Sequence, residues 1–237
     1  MSTSDTILSL FDDCDFDDLC GGNYLSQIIQ RINFNDEFQK DDMWYDTGAT
    51  KLAIGWDNQD WVIKIPFCGL SEEEDYYREE GEECSDEDVF YRPHMYFEGA
   101  SNGYDEWDYC RKEYENYLAA RDRKVAEVFA EVQFVGKAQG HYPIYRQRKI
   151  DSADISYQEI SSKSSKNEKD FAHHLSRAGN TELSPLQWTV IIHQWGERVA
   201  ERLNAFLWEF DINDLHGANV GAINGKFVLM DFSGYND

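Results

Sequence analysis

The chain has 237 residues, with 46 Asp and Glu against 22 Lys and Arg, for a formal net charge of -24. Hydrophobic residues make up 41% and aromatics 15%, enough to build the core of one mid-sized domain or two small lobes and too much for a disordered chain. So negative a surface repels nucleic acid and anionic membrane at long range, and no apolar run reaches the roughly 18 residues a membrane span needs.

The same charge attracts basic proteins. It serves either as a solvated coat or as a docking face for a basic, nucleic-acid-binding partner. The first residues, MSTSDTILSLFDDCDFDD, carry acids where a signal peptide carries Lys or Arg, so export is not expected. The five cysteines (Cys14, Cys20, Cys68, Cys84, Cys110) are scattered and form no C-x-x-C. A disulfide framework and a zinc knuckle are therefore poor readings, and a reducing cytoplasm is the simplest home.

Along the chain, acids gather first at Asp12, Asp13, Asp15, Asp17 and Asp18, then more densely over residues 71–89. So many like charges cannot pack together, and the second stretch reads as a solvated insert. Before it, residues 50–56 and 60–67 are short β-branched and aromatic runs around the turn Asp57-Asn58-Gln59-Asp60, a hairpin pattern. After it, residues 105–132 lack Gly and Pro. They predict one helix with a buried stripe of Tyr114, Tyr117, Leu118, Ala120, Val125, Val128 and Phe129. Two strands are predicted on either side of Gly136, Gly140 and Pro143. Residues 161–170 read as a polar loop. Ser184-Pro185 should cap and start a long helix running to Phe210. A short hairpin turning at Asn224-Gly225 closes the pattern, giving an α+β chain with a strand-rich first half and a helical second half.

The most informative segment is Asp214-Leu215-His216-Gly217-Ala218-Asn219, followed across one hairpin by Asp231-Phe232-Ser233-Gly234. Phosphoryl transfer needs a carboxylate to orient the attacking hydroxyl, oxygen ligands for magnesium and a cation on the nucleotide phosphates. D-x-H-x-x-N, an apolar strand and D-F-S-G supply the first two in order. His216 reads as a structural histidine bracing the loop, and His173-His174 as polar helix surface. The pattern resembles the catalytic loop and metal motif of the protein-kinase-like phosphotransferases. It is nearest to the aminoglycoside-phosphotransferase and small atypical branches, with small phage-encoded Ser/Thr kinases also similar.

That resemblance spans roughly residues 45–235 and implies a bilobal kinase-like fold. An acidic segment would occupy 1–44, a strand-rich N-lobe with the insert 71–89 would occupy 45–150, and a reduced helical C-lobe 151–237. ATP and Mg²⁺ are the implied cofactors. Asp214 would be the catalytic aspartate, with Asn219 and Asp231 on the metal. Lys64, in Val62-Ile63-Lys64, resembles the third-strand lysine that meets the phosphates. Glu113 would be its helical glutamate partner, with Glu115 the runner-up. Gly48 and Lys51 fall at a thinned phosphate loop, where Thr47 or Thr50 could compensate, and Gln147 to Lys149 fall at the adenine hinge.

Three features depart from the family. The phosphate loop keeps only Gly48. Ile212 replaces the histidine that commonly precedes the catalytic residue. The sequence ends three residues past Gly234, so no activation segment or peptide-binding subdomain is expected. The implied activity is a minimal Ser/Thr kinase acting on basic host proteins inside a bacterial cell. Its rival is a weak or inactive kinase scaffold that, as an acidic mimic, binds and inhibits a nucleic-acid-binding protein. A small-molecule phosphotransferase ranks third, because its acceptor pocket needs helices beyond Asp231.

Overall fold

A computed structural model describes residues 3–14, 24–47, 51–66, 108–140, 142–151, 155–179 and 181–234. Gly48, Thr50, the acids at 15, 17 and 18, and the insert 71–89 lie outside the described residues. By contacts the chain divides into two units, Met1–Arg111 with Gln133–Gln147, and Lys112–Val132 with Arg148–Asp237. Together their elements make an α+β protein. No helix among the described residues is long and apolar enough to cross a membrane.

The first unit is built on the expected hairpin. Strands β2 (Lys51–Trp56) and β3 (Trp61–Pro66) pair antiparallel, with Leu52 opposite Ile65 and Ile54 opposite Ile63. Strand β1 (Met43–Thr47) adds antiparallel to β2. With β4 (Val132–Ala138) and β5 (Tyr142–Arg148) the sheet runs β1-β2-β3-β5-β4. Period-two alternation sends Leu52, Ile54, Trp56, Ile63 and Ile65 to one face. There they share a core with Ile7 of α1 (Thr3–Ser9) and Ile28 of α2 (Tyr24–Arg31), together with Leu10, Phe11 and Phe38. Trp56 meets Phe38 edge-on at 4.8 Å, and its indole N–H donates to the Gln39 carbonyl at 2.9 Å. Thus at least part of the acidic N-terminal segment forms a packed layer of this unit.

The predicted helix over 105–132 is shorter than its pattern suggests. Helix α3 covers Tyr109–Asp122, with Asp108 Oδ1 accepting the Arg111 N–H at 2.8 Å as its cap. It stops where Lys124 takes a left-handed φ of 57° and Val125 N–H reaches back to the Ala120 carbonyl. Val128 is then buried from a 3-10 turn, Ala126–Val128. Leu118 is exposed rather than part of the stripe, because the packed side is that of Tyr114, Tyr117 and Ala120.

Two further expectations are corrected in the second unit. The polar stretch taken as a loop forms α4 (Tyr157–Lys163) and α5 (Lys166–Ala178). Ser165 and Glu168 make a full capping box at the start of α5, while Ala172 and Leu175 anchor it to the core. A few apolar residues at helical spacing suffice when the ends are capped. The long helix after Ser184 is two helices, α6 (Pro185–Trp195) and α7 (Glu197–Glu209). They break at Gly196, whose φ of 88° only glycine adopts at little cost. The Ser184 cap and Pro185 start fall where the sequence places them. Strands β6 (Val220–Ile223) and β7 (Lys226–Leu229) form the final hairpin around Asn224 and Gly225, both at positive φ as a primed turn requires.

The Glu168 carboxylate accepts the Ser165 N–H and lies 3.4 Å from His193 Nδ1. The first of these contacts chiefly holds its pKa below the ordinary carboxylate value. A depressed acid contributes stability above that value and loses it as pH falls through the folded-state pKa. The Tm gap between wild type and Glu168→Ala should therefore be widest near neutral pH and close on acidification, as read by circular-dichroism melts.

Candidate functional site

The loop carrying Asp214 begins where α7 ends. Ile212 N–H closes the helix onto the Leu207 carbonyl at 2.9 Å. Ile212 and Leu215 are 1% and 0% exposed and act as two apolar pegs in the core of the second unit. Held between and beside them, the side chains of Asp214 and His216 stay 43% and 45% exposed, with Nε2 of the imidazole 3.6 Å from Asp214 Oδ1. Burial of the pegs thus presents a carboxylate to solvent from a fixed backbone.

Asn219 ties this loop together from the 3-10 turn Gly217–Asn219. Its Nδ2 donates to the Asp214 carbonyl at 2.8 Å, and its N–H donates to the His216 carbonyl at 3.0 Å. Its own carbonyl accepts the N–H of Met230, the residue before Asp231, at 2.9 Å. One residue therefore links both halves of the motif. With Nδ2 committed, the other polar atom of the amide is Oδ1, a donor of the kind magnesium takes. The Asn219 amide thus closes the loop from one side, and His216, which the sequence assigns to bracing it, stands 3.6 Å from Asp214 Oδ1.

Asp231 has a φ of 51°, a left-handed conformation uncommon for a residue other than Gly. Such strain, of order 1–3 kcal/mol, persists where the surroundings over-determine it, and it gathers at functional sites. Here the surroundings are specific. On one side Met230 is held by Asn219. On the other, Phe232 is fully buried with its ring 4.6 Å from Phe129, and its carbonyl accepts Asn116 Nδ2 at 2.8 Å. Gly234, at φ 71°, packs so closely that a Cβ would stand 3.0 Å from the Asp211 carbonyl oxygen. The start of the loop and the end of D-F-S-G therefore meet.

The hairpin between Asn219 and Asp231 is held along its length. Asp151 and Ala222 exchange backbone bonds of 2.9 and 2.8 Å, and Ala130 N–H donates to the Leu229 carbonyl at 2.8 Å. At the far end Gln194 grips the turn with both ends of its amide. Its Nε2 donates to the Gly225 carbonyl at 3.0 Å, and its Oε1 accepts Phe227 N–H at 2.7 Å. Removing this grip with Gln194→Ala should cost about 1 kcal/mol, since the bonds are partly exposed. Urea unfolding would register that loss, and an unchanged midpoint would show that the hairpin stands without it.

In the first unit, Lys64 sits on β3 opposite Ala53, on the face away from Ile63 and Ile65. It is only 5% exposed and has interaction partners there, as a buried ammonium must. Gln147, 3% exposed, lies on the neighbouring strand β5, and the half-buried Lys51 opens β2 opposite Pro66. In the second unit, Glu113 is fully buried on α3 while Glu115 is exposed, and Lys149 follows β5 half-buried. His173 and His174 lie exposed on α5, as expected.

Hydrogen bonds thus bring Asp214, Asn219 and the Asp231 segment into one assembly. Lys64, Lys51 and Gln147 belong to the other unit. Among the described residues no three His, Cys, Asp or Glu side chains converge on a metal position. Asn116 and Gln194 carry no motif and were not legible as part of the site. Comparison of the chain with protein-family models, curated proteins and solved structures finds no match.

Proposed function

We propose that the chain is an ATP- and magnesium-dependent phosphotransferase of protein-kinase-like type, a minimal Ser/Thr kinase acting on basic proteins. The observation that carries this reading is Asn219, which bonds Asp214 through its side chain and the neighbour of Asp231 through its backbone. Asp214 is half-exposed on a pegged loop, suited to orient a substrate hydroxyl. Asn219 and Asp231 offer the oxygens that would hold magnesium, which neutralises phosphate charge when bound. Lys64 on the third strand would meet the phosphates. The placement of α3 after that strand, with Glu113 buried on it, fits the order the resemblance implies.

The bilobal reading belongs to this proposal too. It draws on the division into a sheet-bearing unit and a mostly helical one. The net charge of -24 favours a second reading, a kinase scaffold that binds and blocks a basic protein without transferring phosphate. Incubation with γ-labelled ATP, magnesium and a basic host-protein extract separates the two. Label on protein supports the kinase. Its absence, from folded protein that still captures basic proteins, supports the blocking scaffold.

A further inference from the structure

Two buried side-chain oxygens, Thr181 Oγ1 and Asn204 Oδ1, make no hydrogen bond among the described residues. They come together at Gly179, the residue that ends α5. A Cβ built on Gly179 would stand 3.1 Å from Asn204 Oδ1, 3.1 Å from the Leu175 carbonyl oxygen and 3.7 Å from Thr181 Oγ1. Chain neighbours aside, these are its nearest heavy atoms, so one point beside Gly179 is ringed by oxygen. The backbone does not call for glycine here, since φ -76° and ψ 159° are open to any residue. What glycine supplies is room.

An unpaired buried polar atom is costly, and two that face one point call for a common partner. Asn204 Oδ1 only accepts. The Leu175 carbonyl takes the Gly179 N–H at 2.8 Å and has a second lone pair. The Thr181 hydroxyl can give a proton as well as take one. The partner must therefore donate twice and accept once, from a space that one heavy atom fills. Three uncharged oxygens fall short of the roughly six that magnesium or calcium takes. They match the about three partners of a typical buried water.

We infer that a single water molecule is bound beside Gly179 as part of the fold. It donates to Asn204 Oδ1 and the Leu175 carbonyl and accepts the proton of the Thr181 hydroxyl. In that position it completes the cap of α5, whose last carbonyls have no partners within the helix. Trp208 Nε1 of α7 meets the Ala178 carbonyl directly, at 3.2 Å. Asn204, one turn earlier on the same side of α7, reaches the Leu175 carbonyl through the water. The water thus ties the end of α5 and the segment at Thr181 to the helix that leads into the Asp214 loop. This inference is independent of phosphate transfer.

The test is NMR of the full chain, read as Overhauser transfer from water to the Gly179 N–H. A cross-peak with the sign of a long-held water is expected in wild type. It should vanish from residue 179 in Gly179→Ala, whose methyl takes the water's position. Stability gives an independent sign. With the water in place, Thr181→Val strips it of a donor and should lower Tm by about 2–4 °C. Without it, the same change replaces an unpaired buried hydroxyl with a methyl of like shape, and Tm should hold or rise. Circular-dichroism melts supply Tm and show that both variants fold. Absence of the cross-peak in wild type, or a Tm unchanged or raised in Thr181→Val, overturns the inference. So does a wild-type Tm several degrees higher in sodium or potassium chloride than in choline chloride of equal ionic strength, which would make the occupant a cation.

Discussion

Replacing Asp214 with alanine should lower phosphate transfer by about 10²–10⁴-fold, the usual loss when a positioned acid or base is removed. The fold should be untouched. The carboxylate is 43% exposed, and its near neighbour is an imidazole that is itself exposed. What the loop needs from residue 214 is its main-chain carbonyl, which Asn219 grips and which alanine keeps. Tm should therefore stay within about 2 °C of wild type, under 1 kcal/mol for a chain of this size. Activity lost together with several degrees of Tm would mean that Asp214 is structural. Activity retained would remove it from the chemistry altogether.

Asn219→Ala should fail in a different way, losing stability and activity together. The residue is 7% exposed, and its amide donates the bond that closes the Asp214 loop. Leaving that carbonyl without its partner costs about 1–3 kcal/mol, or roughly 2–12 °C of Tm. The same substitution removes an oxygen that would hold magnesium, so phosphate transfer should drop about 100-fold and recover in part at raised magnesium. Asn219→Asp separates the two roles. It keeps an oxygen for the metal and loses the donor, setting a carboxylate against the Asp214 carbonyl. A variant with lowered Tm but nearly full transfer at saturating magnesium would assign the residue to loop closure and the metal alike. Unchanged Tm and activity in both variants would show that the tie at residue 219 does neither.

What the sequence made legible follows from how local each signal is. Both hairpins could be read because turn formers stand between short apolar strands, and Asn224-Gly225 dictates its turn type on its own. The Ser184-Pro185 start was equally local. The helix breaks were not. Gly196 sits inside an apolar pattern that continues on both sides, and only its φ of 88° reveals that α6 and α7 are separate. Residues 157–178 were hidden for the opposite reason. Their composition is polar, and the helices depend on a capping box and the two core contacts Ala172 and Leu175. In the candidate site, the motif spacing placed Asp214 and Asn219 before one hairpin and Asp231 after it. It could not show that Asn219 joins them through both side chain and backbone, nor that Asn116 and Gln194 hold the surrounding segments. Those contacts link residues 116 and 232, or 194 and 225, which only tertiary packing brings together.

The proposed function stands most directly on magnesium-dependent binding of ATP. Calorimetric titration of the folded chain with ATP, in magnesium and in excess chelator, measures it, with Asp231→Asn beside wild type. Saturable binding in magnesium, weakened at least about ten-fold by chelator and again by the substitution, is the result expected if an Asn and an Asp hold the metal. No binding under any condition, or binding indifferent to both magnesium and Asp231, would contradict it.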